Sequence, residues 1–136
     1  MDKYNDRDLT FAAERAMHGA YAPYSRFTVG AALLCSDGTV FTGCNIENAS
    51  YGLTMCAERA AIYSAISFGY TDFVKIAIVG GPEGKIEKIC PPCGACRQVM
   101  TEFCSTDFEI ILWDGKSLSP LQRYKLGDLL PLDFGL

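Results

Sequence analysis

Two short stretches of this chain hold residues whose types and spacing can do chemistry: Cys56-Ala57-Glu58-Arg59 and Pro92-Cys93-Gly94-Ala95-Cys96-Arg97-Gln98. Together they offer three thiolates to one cation and leave one carboxylate free beside it, as a hydrolytic zinc centre with an open fourth position requires. Cys93 and Cys96 stand three apart at the start of a predicted helix, so their side chains leave the same face and can meet one ion. Pro91-Pro92 suits that start, because a proline at or before the first helical position gives up an amide that would have had no partner. Cys56 opens a second predicted helix. Both helix amino termini would aim unpaired amides and positive dipole ends at the sulfurs, lowering their pKa. Among the ions that thiolates select, zinc alone joins redox silence to Lewis acidity and a replaceable water. One Zn2+ per chain is therefore expected on Cys56, Cys93 and Cys96. A closed structural site with Cys90 as fourth ligand competes with this, since Cys90, Cys93 and Cys96 form a chelating run of their own. The free Glu58 argues against closure, because a purely structural site has no use for it.

Three thiolates donate much negative charge and blunt the acidifying power of the metal relative to an all-imidazole set. Arg59 and Arg97 each follow a motif residue closely enough to hydrogen-bond a ligand sulfur and offset that charge; an ordinary surface helix position is the alternative for Arg97. Glu58 is the acid/base candidate, since a carboxyl in a closed apolar pocket has a raised pKa. Outside this context it would read as a solvated first-turn Glu favoured by the helix dipole. The Asn45-Ile46-Glu47-Asn48 segment offers an amide and a carboxylate suited to hydroxyl groups. Asn45 could equally shape a turn, and Phe27 on a strand is more often core than substrate contact. His18 falls on the polar side of a helix and is expected in solvent, while Cys35, Cys44 and Cys104 read as small buried apolar residues.

The elements that must position these groups follow from periodicity. Leu9, Ala12, Ala13, Ala16, Met17 and Ala20 recur at amphipathic helical spacing, which Ala22-Pro23 ends. Two β-rich runs, Phe27 to Cys35 and Thr39 to Ile46, join across Ser36-Asp37-Gly38 as an antiparallel hairpin. A helix from Cys56 to Ser67 closes at Gly69. Phe73 to Val79 is an apolar strand buried on both faces, and a helix from Cys93 to about Phe103 separates it from another, Phe108 to Trp113. That is a βαβ unit. The class is α/β: a three-layer α/β/α arrangement with a central mixed β-sheet, built from an amino-terminal helix, an antiparallel hairpin and then βαβ. Beyond Gly115 the reading is a short strand or turn near Leu118 and a helical turn around Gly127 to Leu130.

The chain has 136 residues, of which 49% are hydrophobic, enough for a single domain over residues 1–136. The charged start, Met1 to Asp8, lacks the apolar run of a signal peptide, and no stretch approaches a membrane span, so a cytoplasmic address and no membrane partner are expected. In that compartment seven cysteines read as ligands and free thiols rather than a disulfide framework. Twelve basic residues against sixteen acidic ones leave a net charge of −4, without the basic stripe that a nucleic-acid partner demands. A small neutral substrate is favoured.

With these two stretches, Phe27-Thr28-Val29-Gly30-Ala31-Ala32, Gly43-Cys44-Asn45-Ile46-Glu47-Asn48-Ala49-Ser50 and the closing Leu129-Leu130-Pro131-Leu132-Asp133-Phe134 make the chain resemble cytidine deaminases of the small, tetrameric type. The resemblance runs from about Ala22 to Phe134 with its motifs in the family's order. It implies a cytidine-deaminase-like fold, one catalytic domain, and hydrolytic deamination of cytidine and deoxycytidine to uridine and deoxyuridine with release of ammonia, in pyrimidine salvage. Glu58 would move a proton from water to N3 of the ring and then assist the departing amino group. The resemblance also implies a nucleoside site at Phe27, Asn45, Glu47 and Ala57, with Asn45 and Glu47 on the ribose and Phe27 packed on the substrate. Arg59 would support a ligand sulfur. The assembly would be a homotetramer with active sites at subunit junctions, and Phe134 would reach a neighbour's substrate. Deaminases of cytosine nucleoside antibiotics such as blasticidin S share the zinc motifs, without so full a match to Asn45-Ile46-Glu47-Asn48 and the terminal Phe134. A nucleic-acid editor is disfavoured by charge. A non-catalytic zinc module or a Cys90/Cys93 redox pair is the reading from another class, which turnover by the metal-replete, reduced protein would exclude.

Overall fold

In the computed structural model, which describes residues 4–136, helix α1 spans Asp6–Met17. Residues 1–3, part of the start read as lacking a signal peptide, lie outside the described residues. Asn5 caps α1: its Oδ1 accepts the Asp8 amide at 2.8 Å, satisfying one of the donors a helix start leaves open. The helix stops at Met17, short of the Ala20 that periodicity suggested, because the chain turns at His18 and Gly19 and the Tyr21 amide donates to the Asn45 carbonyl at 3.0 Å. His18 is exposed, as expected.

Strands β1 (Phe27–Cys35) and β2 (Val40–Cys44) form the antiparallel hairpin, with Gly38 at a φ of 91° in the turn. β2 ends before Ile46, because Asn45 and Ile46 leave the ladder and Ile46 bridges Tyr21 on one side and Met55 on the other. A short 3-10 turn, Tyr51–Leu53, leads to α2 (Ala57–Ser67). Strand β3 (Phe73–Pro82) runs past Val79, since Gly80, Gly81 and Pro82 keep pairing with Val29, Thr28 and Phe27. Helix α3 (Gly94–Phe103) then crosses to β4 (Glu109–Leu112), which lies parallel to β3 and completes the expected βαβ unit. The tail adds an antiparallel edge strand β5 (Gln122–Lys125), later than the strand or turn expected near Leu118, and a helical turn α4 (Leu126–Leu129).

The sheet order is β2-β1-β3-β4-β5, a mixed sheet covered on both sides. Alternation along the strands divides the core: Ala32, Leu34, Ala77, Val79 and Ile111 meet α1, while Ala31, Leu33, Ile76, Ile78 and Ile110 meet α2 and α3. This is the three-layer α/β/α arrangement. Two glycines set how closely the layers approach. A Cβ on Gly30 would strike the Ala13 carbonyl of α1, and one on Gly43 would lie 2.5 Å from the Ala57 carbonyl of α2. The start of α2 therefore rests directly on β2. The seven cysteines are free thiols; Cys35 is buried, whereas Cys44 and Cys104 are only half-buried. Among the described residues no helix is long and apolar enough to cross a membrane.

Candidate metal centre and active site

Both motif helices begin at a cysteine. Cys56 is the N-cap of α2 and Cys93 that of α3, and neither side chain is spent on a capping hydrogen bond. Cys96 follows one turn into α3. The Cys93 Sγ lies 3.8 Å from that of Cys56 and 3.5 Å from that of Cys96, and all three lie within 4.8 Å of one another. Tetrahedral zinc with bonds of about 2.3 Å spaces its sulfurs by about 3.8 Å, so this donor set fits the ion. Cys90 stays outside the group, against Gly80, where a Cβ would meet its Sγ at 3.0 Å. The arrangement offers three ligands, not the closed set of four.

Arg59, one turn along α2, donates from Nη2 to the Cys56 Sγ at 3.4 Å. The Cys56 thiol is held well below its ordinary range, first by the hydrogen bond from Cys96 and then by Arg59, against the effect of burial. Cys96, the donor of that bond, is pushed up. The Arg59 Nε is buried without a partner, and hydrogen bonding to the sulfurs, that of Cys56 first, raises the guanidinium pKa and keeps it charged beside them. Arg97 behaves differently from either expectation. Its Nε donates to the Pro92 carbonyl and its Nη1 to the Leu129 carbonyl, each at 2.8 Å, so it touches no sulfur and is no ordinary surface residue.

Glu58 is 4% exposed, contrary to the solvated first-turn alternative. Burial, with a smaller contribution from the Cys56 charge, pushes its carboxyl up to about 7. It opens on a cavity of about 200 Å³ whose wall also includes Asn45, Cys56, Ala57 and Cys93. Val29, Thr54, Met55, Cys90 and Pro91 complete the wall, and sequence reasoning did not single them out for it. Val29 lay within a family motif, Cys90 entered only as a possible fourth ligand and Pro91 only as a helix-start residue, while Thr54 and Met55 had no signal beyond proximity to Cys56. A larger hollow at Tyr21 and Arg26, about 480 Å³, holds neither the sulfur cluster nor the buried carboxyl.

The remaining expected residues surround this cavity unevenly. The Asn45 Oδ1 accepts the Val29 amide and its Nδ2 donates to the Phe27 carbonyl, both at 2.8 Å, so the side chain extends the edge of β1 while lining the cavity. Glu47 does not line it. Its carboxylate accepts the Tyr24 and Ser25 amides at 3.0 and 3.1 Å and the Ser25 hydroxyl, and these bonds, the hydroxyl first, hold it below the usual range. The Phe27 ring borders a neighbouring hollow with Gly80, Gly81 and Pro82, sharing Gly80 with the Cys90 side chain. Phe134 stands apart, 70% exposed, with its carbonyl accepting from Gln98 Nε2 at 2.9 Å.

Residues 3–111 match the family described as the cytidine and deoxycytidylate deaminase zinc-binding region. A cytidine deaminase of Halalkalibacterium halodurans is 52% identical over 119 residues, covering 88% of this chain and 86% of that one. The crystal structure of a cytidine deaminase from Burkholderia pseudomallei superposes with a TM-score of 0.87 at 47% identity, over 96% of this chain and 100% of the other. A blasticidin-S deaminase of Bacillus cereus is more distant, 32% identical over 110 residues, covering 78% of this chain and 76% of that one.

Proposed function

The chain belongs to the cytidine and deoxycytidylate deaminase family, and from that membership we propose that it hydrolyses cytidine and deoxycytidine to uridine and deoxyuridine, releasing ammonia. The observation that carries this reading is the placement of Glu58, a carboxyl buried to 4% exposure and raised to about 7, in one cavity with Cys56 and Cys93, whose sulfurs converge with that of Cys96. Cys56, Cys93 and Cys96 would hold zinc, one ion per chain. When bound, it supplies redox-silent Lewis acidity with one open coordination position.

Glu58 takes a proton from the attacking water and delivers it to N3 of the ring as the oxygen bonds to C4. It then carries the proton left on that oxygen to the amino nitrogen, so that the C4–N bond breaks and ammonia departs. A pKa near neutrality suits a group that must accept and release a proton in one cycle. Arg59 disperses the thiolate charge. Ala57 forms the cavity wall next to Glu58, and Asn45 retains one amide hydrogen for the ribose. Glu47, ionised and oriented by the Tyr24 and Ser25 amides, accepts a ribose hydroxyl with its remaining lone pairs, and Phe27 packs on the nucleoside. A site that pairs sugar hydroxyls rejects the free base, which would leave those groups unpaired.

The same reading gives the protein a cytoplasmic place in pyrimidine salvage and a homotetrameric assembly with shared active sites. Leu132, Phe134 and Leu136 are exposed on the single chain, an apolar end suited to a neighbouring subunit, and Phe134 acts on that neighbour's substrate. Metal analysis combined with an ultraviolet assay for loss of cytidine tests the proposal. About one zinc per chain and ammonia release matching cytidine loss are expected, with little turnover of blasticidin S. Zinc-loaded, reduced protein inert towards both nucleosides would overturn it.

A further inference from the structure

Arg97 and Gln98 follow Cys96 directly, yet the catalytic reading gives neither a task. Their hydrogen bonds run to two places that are distant in sequence. Arg97 Nε reaches the Pro92 carbonyl at 2.8 Å, immediately before the ligand Cys93, and Arg97 Nη1 reaches the Leu129 carbonyl at 2.8 Å. Gln98 Nε2 reaches the Phe134 carbonyl at 2.9 Å. Pro92 is buried, and a buried carbonyl needs a donor; Leu129 ends α4, where helical carbonyls have no internal partner. A single planar guanidinium satisfies both, fixing the turn before Cys93 and the root of the tail relative to each other. Gln98 then grips the same tail five residues further on.

We propose that Arg97 and Gln98 are positioning residues which dock the C-terminal tail on the metal-ligand helix, so that α3 sets where Phe134 can act. This rests on the reading of Phe134 as a substrate contact, and it adds the device that aims it. The Cys93–Cys96 turn and the tail thereby become one mechanical unit. A displacement of either reaches the other through two carbonyls and one side chain.

The test uses zinc-loaded, full-length protein and times carboxypeptidase removal of the tail by intact mass, alongside zinc content and KM for cytidine. Arg97→Ala removes a charged donor from two carbonyls and should speed tail release by about tenfold or more, while Gln98→Ala should speed it about threefold to tenfold. Zinc content should stay at about one per chain in Gln98→Ala, with KM raised more than kcat is lowered. Arg97→Lys, able to serve one carbonyl, should fall between wild type and Arg97→Ala. A merely structural role for these residues would lower the melting temperature without moving tail release in Gln98→Ala, which decides the matter if Arg97→Ala fails to fold. Wild-type tail release in the alanine variants overturns the proposal. So does quickened release with unchanged KM when Phe134→Ala itself raises KM. If release quickens and Phe134→Ala also leaves KM unchanged, the docking stands and the role of Phe134 in substrate binding falls.

Discussion

Replacing Glu58 by Gln should sharply lower turnover and make the metal-free fold gain on wild type as pH rises, and the two effects have one cause. The carboxyl is 4% exposed and is raised from 4.5 to about 7 by burial first. At about 1.4 kcal/mol per pH unit, that rise corresponds to roughly 3 kcal/mol between the neutral and charged forms. Its folded-state value lies above the unfolded one, so between pH 4.5 and about 7 the folded chain keeps a proton that the unfolded chain has lost. Stability from the neutral acid is therefore complete below pH 4.5 and declines as pH rises, until above about pH 7 the wild type carries the full penalty of a buried charge. The amide that Glu58→Gln introduces never ionises and has no such penalty. Urea unfolding of wild type and Glu58→Gln, both stripped of metal under reductant and at one protomer concentration, should show the variant gaining on wild type by roughly 3 kcal/mol between pH 4.5 and 8. Any pH-independent cost of burying the amide cancels in that slope. In the zinc-loaded protein the same variant should retain its metal and lose at least about 10²-fold to 10⁴-fold in turnover. A stability difference flat with pH would show that Glu58 titrates as an ordinary carboxyl, and near-normal turnover would falsify its role as proton carrier.

Cys56→Ala, Cys93→Ala and Cys96→Ala should each lose zinc and activity together, whereas Cys90→Ala should keep both; loss of zinc from Cys90→Ala in metal analysis would restore the closed four-cysteine site. Gly43→Ala places a Cβ 2.5 Å from the Ala57 carbonyl and 2.6 Å from the Ala61 amide, both backbone, so α2 must lift from β2. Overpacking of this kind costs about 1–3 kcal/mol, and because Cys56 and Glu58 ride on the displaced end, calorimetry should show a lower melting temperature together with weaker zinc retention. Under the proposed homotetrameric assembly, mixing Glu58→Gln with Phe134→Ala chains should recover part of the activity that either variant lacks, since the two defects would fall at different sites. No recovery after confirmed subunit exchange would leave Phe134 outside its neighbour's site.

Groups whose role depends on residue type and short spacing were legible before any coordinates. Cys93 and Cys96 are three apart, Glu58 is two beyond Cys56, and helix geometry alone brings each pair to one end of its helix. The hairpin and βαβ unit were legible for the same reason, as apolar runs of strand length broken by turn residues. Contacts that depend on long-range backbone were not. Nothing in Asn45 announces that its amide will complete β1 sixteen residues earlier, and nothing in Arg97 announces the Leu129 carbonyl thirty-two residues later. Strand β5, Gln-Arg-Tyr-Lys, is an edge with little burial and lacks the apolar alternation that marks the others. The extension of β3 through Gly80, Gly81 and Pro82 runs against local propensity and follows from pairing with Phe27 to Val29. Tertiary pairing decided these segments.

The close approach of the three sulfurs has a practical meaning for storing the protein. At 3.5 and 3.8 Å, neighbouring thiols are one covalent bond from a disulfide once a dissolved oxidant takes two electrons and two protons are released. Cys93, common to both contacts, is also the ligand open to solvent, and Cys56 beside it holds its thiol well below the ordinary range, so the pair joins accessibility to thiolate character. A bound ion engages the sulfur lone pairs and serves as a blocking group, in the synthetic chemist's sense. A chelator used in air deprotects the site and lets two of its three sulfurs seal together, and zinc added back then finds one ligand where it needs three. Stripped under a reductant, the same sample should reload fully, so shelf life is set by how continuously the metal stays in place.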